Sequence, residues 1–211
     1  MPKSLKEQNR WQIWLIVAAN VLFLYTITKS GVIQPAAFLA GLKDTTNLLP
    51  VGMALVVSVV LNGLLSADNK AKLVFLHWNY ALPGHRVFTK YAKNDPRIDL
   101  SVLAGIHGSP LPQDPVEQNR LWYRFYKAVD SDPAVLQVHR DFLLLRDYTG
   151  LSALFVVFFG ATALYVMPSL KIACIYLLIL FLQYVVVRQA AATYGIRMAT
   201  TALAQRATKT G

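Results

Sequence analysis

Long runs without a charged residue alternate with one long polar stretch, and that pattern predicts most of the architecture. Between Arg10 and Lys29 lie 18 uncharged residues, Trp11 to Thr28. At about 1.5 Å per residue this just spans a hydrocarbon core of roughly 30 Å, so it is read as a first transmembrane helix, TM1. No charge occurs between Asp44 and Asp68. Asn47 is a suitable N-cap there for a second span, TM2, running through Leu48, Pro50 and Val51 to Leu65. Tyr148 to Val166 gives 19 uncharged residues stopped by Met167-Pro168, and this is TM3. TM4 starts after Ser169 and has an uncharged core of 16 residues, Ile172 to Val187, long enough if Lys171 and Arg188 reach to the headgroups.

The helical period extends beyond two of these runs. Asp132-Pro133 reads as an N-cap followed by proline at N1, with Val135, Val138, Phe142 and Leu145 recurring at helical spacing, so TM3 should begin about four turns before its apolar part. Ala191, Gly195 and Ala199 lie four apart after Arg188, which suggests that TM4 continues as a long helix with a small-residue face and a frayed tail from Thr208 to Gly211. The few residues between TM3 and TM4 force an antiparallel hairpin. Between TM1 and TM2, residues 35–42 read as a short apolar helix lying on the outer surface.

The expected fold is therefore an all-α integral membrane protein of four transmembrane helices in two hairpins, with a mostly helical insert between TM2 and TM3. Residues 1–66 form the first hairpin, 67–147 the insert, and 148–211 the second hairpin with its helical tail. Leu73 to Trp78 reads as a strand or the end of an interfacial helix, Pro83-Gly84 as a turn, Asp95-Pro96 as a helix start, and Pro115 as the start of an amphipathic helix bearing Leu121, Trp122, Phe125 and Val129. About 80 residues is little for a free-standing core, so the insert should pack on the membrane face or on another copy.

Composition confirms the membrane and sets the orientation. The chain is 55% hydrophobic and 15% charged with a mean hydropathy of +0.40, too apolar for an ordinary soluble domain. Its basic start, Lys3, Lys6 and Arg10, followed by an apolar run without a small-x-small cleavage site, reads as an uncleaved signal anchor. With both termini inside, 18 Lys and Arg fall on the inner side and three (Lys29, Lys43, Lys171) on the outer, which places the insert and both ends in the cytoplasm of a cell inner (plasma) membrane. The net charge of +10 is spread around apolar segments, matching the lipid bilayer and its anionic headgroups as partners and excluding nucleic acid.

Candidate chemistry is sparse. Cys174 is alone, so neither a disulfide nor a thiolate metal site is expected. The four histidines, His77, His85, His107 and His139, lack the spacing of a metal site, and neither a metal nor a cofactor is expected. No Walker loop, GxSxG or HExxH occurs, and His107 lacks an aspartate at 112 for an acyltransferase HxxxxD motif. Pro83 to Arg86 and His139 to Asp141 share residue types with membrane phosphatases acting on lipid phosphates, but their order and spacing differ and the basic lead motif is missing.

Asp95, Arg97 and Asp99 are spaced to hold a cation or phosphate, or to cap a turn with a structural ion pair. Gln118, Asn119, Arg120, Trp122 and Tyr123 offer amides, a guanidinium and rings for a nucleotide or peptide, while Arg120, Arg124 and Lys127 suit a helix lying at an anionic membrane surface. Within the spans only Asn20, Ser58, Asn62 and Gln183 are notably polar; with Gly195 they are expected to serve helix packing, and the lack of ionisable groups argues against a transporter. The leading expectation is a non-enzymatic multi-pass protein with a cytoplasmic sensing or docking region, including the version of an oligomeric membrane effector, with a homo-oligomer or a cytoplasmic protein as partner. The alternative is an enzyme acting on lipid headgroups through His85, Asp95, Arg97, Asp99 or His107.

Overall fold

The computed structural model describes residues 4–34 and 62–209, with positions 36, 39–40, 52, 56–57 and 60 between them. Among the described residues the chain is all helix and irregular structure, without a strand. The α-helices are α1 (Leu5–Gln8), α2 (Arg10–Ser30), α3 (Ala67–Phe75), α4 (Leu100–His107), α5 (Pro115–Lys127), α6 (Pro133–Val166) and α7 (Leu170–Thr208). Tight 3-10 and π turns over Pro83–Arg86, Val87–Tyr91 and Ala92–Asn94 join α3 to α4. Three helices, α2, α6 and α7, are long and apolar enough to cross a membrane. Most of the TM2 stretch, Ser58 included, and most of the short helix expected at 35–42 lie outside the described residues.

Local chemistry explains the helix ends. Asp132 accepts from the Ala134 amide with Pro133 at N1, Asp114 caps α5 in the same way, and Ser66 accepts from Asn69 at the start of α3. Pro96 does not start a helix: Asp95 closes a turn onto Arg97, and α4 begins four residues later under Asp99, which accepts from the Ser101 and Val102 amides. Gly108, at φ 75°, supplies the left-handed residue that ends α4. Ser169 makes no side-chain capping bond, so the break between α6 and α7 rests on Pro168.

At 34 and 39 residues, α6 and α7 are about 51 and 58 Å long, some 20–30 Å more than a hydrocarbon core requires. They pack as an antiparallel pair and share two separate cores. In the apolar half, Val17, Val21 and Ile27 of α2 meet Leu151, Phe155 and Ala163 of α6 and Ala173, Tyr176 and Leu180 of α7. In the polar half, Val74, Val87, Leu103, Leu121, Phe125 and Val129 close over Val135 and Phe142 of α6 and Ala191, Ala199 and Leu203 of α7. Each such side chain contributes about 1.5–3 kcal/mol on burial. The insert thus builds its core together with the ends of α6 and α7 that extend past the apolar half. That packing also orders the tail, which stays helical through Thr208 with Lys209 3.5 Å from Asp132.

Both chain ends and the insert meet the same end of the apolar bundle. Asn9 donates to the Arg140 carbonyl at 2.7 Å, fixing α1 beside α6, whereas Gly31 lies next to Pro168 at the far end. Residues 62–64 are helical and are back at the near end, where Leu65 lies against Gly150.

Candidate functional site

The junction between the two halves holds the most unusual chemistry of the molecule. Asp147 is the last charged residue of α6 before its apolar run, and Lys70 lies in the first turns of α3 as the chain leaves residues 62–64. The Lys70 ammonium donates to Asp147 Oδ1 at 3.1 Å, with side chains only 4% and 6% exposed. Arg146 Nη2 stands 3.4 Å from the same oxygen. Gly150, one turn further along α6, lies against the Lys70 stem and Leu65: a Cβ there would stand 3.4 Å from Lys70 Cγ, in ordinary contact, and 3.3 Å from Leu65 Cδ1. Stripping water from two charges is costly, and the pair is held only because each ion meets its partner at hydrogen-bonding range.

Beside this pair lies a cavity of about 330 Å³. Its apolar lining is Ile13 and Trp14 of α2, with Gly63 also on its wall. Polar groups come from four places: Glu7 of α1 with its N-cap Ser4, Arg10 at the start of α2, Asn62, and Asp147 itself. A reciprocal cap, Ser4 N to Glu7 Oε2 at 2.7 Å and Glu7 N to Ser4 Oγ at 3.2 Å, holds the first turn in place. The Asn62 Oδ1 is buried without a hydrogen-bond partner. The arrangement presents both signs of charge, an unsatisfied carbonyl and an apolar wall, suited to binding an amphipathic polar group.

The residues expected for lipid chemistry are dispersed. His85 Nδ1 bonds the Pro115 carbonyl at 2.9 Å, Asp99 caps α4, and His107 ends that helix. Asp95 takes Arg97 at 2.9 and 2.7 Å, and Arg97 Nη2 also reaches Thr200 of α7 at 3.4 Å. None of the five lines the junction cavity. Among the described residues no group of three His, Cys, Asp or Glu is placed to hold a metal ion. The guanidinium of Arg97 holds the Asp95 carboxyl down at about 2. Since the folded group ionises more readily than an ordinary carboxyl, near 3.9, its contribution to stability is full above pH 4 and disappears as pH falls through 2. Acid unfolding should therefore show the wild type losing its advantage over Asp95→Asn across that window, with no difference between them well below pH 2.

The proposed recognition set on α5 is largely committed inside the protein. Gln118 is 1% exposed. Its Oε1 accepts from the Phe88 and Thr89 amides at 3.1 and 3.2 Å and from the Thr89 hydroxyl, while Nε2 donates to Gln113 O. It satisfies the irregular 87–91 turn, whose amides lack regular helical partners. Gln118→Met should cost about 2 kcal/mol in chemical unfolding, through the buried amides left unpaired. Trp122 is buried with its Nε1 on Ala199 O at 3.2 Å, and Asn119 packs on Gly84, where a Cβ would clash with its Oδ1. Only Arg120 and Tyr123 of the set are exposed.

Arg120, Arg124 and Lys127 are all exposed on α5, and Arg120 and Lys127 pair with Glu117 and Asp130. Trp122 of the same helix is level with Ala199, 11 residues past Arg188, or about 16 Å along α7. Of the packing residues, Asn20 bonds the Ile16 carbonyl of its own helix and Gln183 donates to the Tyr148 hydroxyl at 2.7 Å, tying α7 to α6. Gly195 faces Phe75 and Phe142 within the chain.

The Lys70–Asp147 pair and the cavity were missed by sequence reasoning, although signals existed. Ser4-x-x-Glu7 is a capping-box pattern, and Asp68, two residues before Lys70, and Asp147 each border an uncharged run. No family model matches the chain, and neither the curated proteins nor the solved structures gave a match to it.

Proposed function

We propose that this chain is a non-enzymatic protein of the cell inner membrane that presents a rigid docking module to the cytoplasm. Four crossings are proposed, supported by the position of Ser30 and Asn62 at opposite ends of the apolar bundle, and the cytoplasmic assignment rests on the 18-to-3 distribution of basic residues. The observation that carries the docking reading is the loop after α3. Trp78 in it is 83% exposed, with Leu76 and Tyr80 at 60% and 49%. Leu76 and Tyr80 both hold positive φ, at 52° and 53°, which costs non-glycine residues of order 1–3 kcal/mol each. Arg86 maintains the shape by donating to the Tyr80 carbonyl at 2.8 Å.

An exposed tryptophan kept in a strained, braced loop is a suitable anchor for a protein partner. Because α6 and α7 pass unbroken from the apolar core into the core beneath this loop, load on the loop reaches the membrane helices directly. Oligomerisation along the small-residue face of α7 loses its basis, since Ala191 and Ala199 are buried against the insert. The test is cross-linking of the full chain in intact cells: a discrete cross-linked protein that disappears with Trp78→Ser, while membrane insertion persists, supports docking. Turnover of phospholipid headgroups by the purified chain, abolished by His85→Ala, would support the enzyme alternative instead.

A further inference from the structure

We propose that the junction cavity is a binding site for the headgroup of a phospholipid that carries a primary ammonium, of the phosphoethanolamine type. This rests on the chain spanning a membrane, and it is independent of what the Trp78 loop docks.

The cavity lies where α2 and α6 pass from apolar to polar sequence, the depth at which headgroups sit. Its volume of about 330 Å³ falls at the small end of ligand sites, roughly 300–1,000 Å³. The lining has a direction. Ile13 and Trp14 face it from the membrane side of α2, whereas Glu7 and Arg10 lie at and before the start of that helix. An acyl glycerol would lie along the first pair with its headgroup among the second.

Charge selects the headgroup. Arg10 is exposed at the helix start and suits a phosphate, which guanidinium binds through paired N–H donors. The same cavity also holds acceptors. Asp147 is 5% exposed, and its two recorded donors, Lys70 and Arg146, both sit on Oδ1. The Asn62 Oδ1, buried without a partner, adds a neutral acceptor, and Glu7 a carboxylate at the rim. A primary ammonium has three N–H donors for these oxygens, so it satisfies the Asn62 carbonyl and complements the carboxylates. A trimethylammonium has no donor to give, and a glycerol headgroup brings no positive charge. The site therefore discriminates by donor count as well as by sign.

The test uses the full chain reconstituted in nanodiscs holding equal amounts of phosphatidylethanolamine, phosphatidylcholine and phosphatidylglycerol, with retained lipid read by native mass spectrometry. Phosphatidylethanolamine should be retained over the other two. Arg10→Gln and Asn62→Leu should each cut that retention about tenfold, the effect of losing one hydrogen bond to a charged group. Arg10 is exposed, so its variant leaves the fold intact, and circular dichroism verifies this for both. Equal retention of the three lipids, or unchanged preference in both variants, overturns the proposal. Displacement of the lipid by free O-phosphoethanolamine at equal concentration would show a soluble ligand as the source and overturn the lipid assignment. Loss of the Trp78 cross-link with lipid preference intact would bear on docking alone.

Discussion

Asp147→Leu is expected to destabilise the protein by about 3–5 kcal/mol, because it removes a buried carboxylate to which the Lys70 ammonium donates at 3.1 Å and which Arg146 also approaches. Lys70→Met should cost less, since Arg146 still stands 3.4 Å from Asp147. The double variant Lys70→Met/Asp147→Leu should recover most of the loss, as an apolar pair of similar volume removes both desolvation costs at once. Urea unfolding in a mild detergent, followed by the signal of the four tryptophans, reads all three. The order of the variants matters more than their absolute values: additive single effects would mean that the two side chains do not depend on one another. The pair also locates the start of α3 against α6, so its loss should loosen the insert from the apolar bundle before either core melts.

Gly195→Leu is expected to cost about 3 kcal/mol, the upper part of the range for overpacking a closed core. Even a Cβ at that position would stand 2.7 Å from the Phe75 ring and 2.8 Å from that of Phe142, and a leucine adds three more carbons. Neither ring can retreat easily. Both are buried, they contact each other with centroids 6.3 Å apart, and each belongs to a helix fixed elsewhere, α3 by Lys70 and α6 by its own length. Thermal unfolding should show the loss, and limited proteolysis should cut first in the insert. If Gly195→Leu were instead to change oligomer size while leaving stability untouched, the small face of α7 would be an interface between copies.

Much of the architecture was legible because helix caps and charge-free runs are local signals. Asp132-Pro133, Pro115 and Pro168 mark ends that the structure reproduces, and the period through Val135, Val138 and Phe142 foretold that α6 starts well before its apolar run. What could not be read depends on tertiary partners. Gln118 resembles a recognition residue in sequence, but only the 87–91 turn, whose amides need an acceptor, reveals its role. Asp95-Pro96 has the look of a helix start until Arg97 closes it into a turn. Lys70 and Asp147 are 77 residues apart, and no local rule pairs them. The small-residue spacing through Gly195 was visible, but spacing does not say whether a neighbouring chain or the same chain fills the face.

The central claim is that α6 and α7 run without a hinge from the apolar core into the polar one. Spin labels on exposed α7 positions Leu178 and Arg197, in a Cys174→Ser background, measure it directly in lipid. An unbroken helix places those positions about 28 Å apart, and a narrow distance distribution near that value is predicted. A broad distribution, or a mean several ångströms shorter, would reveal a bend at the membrane boundary and contradict the account.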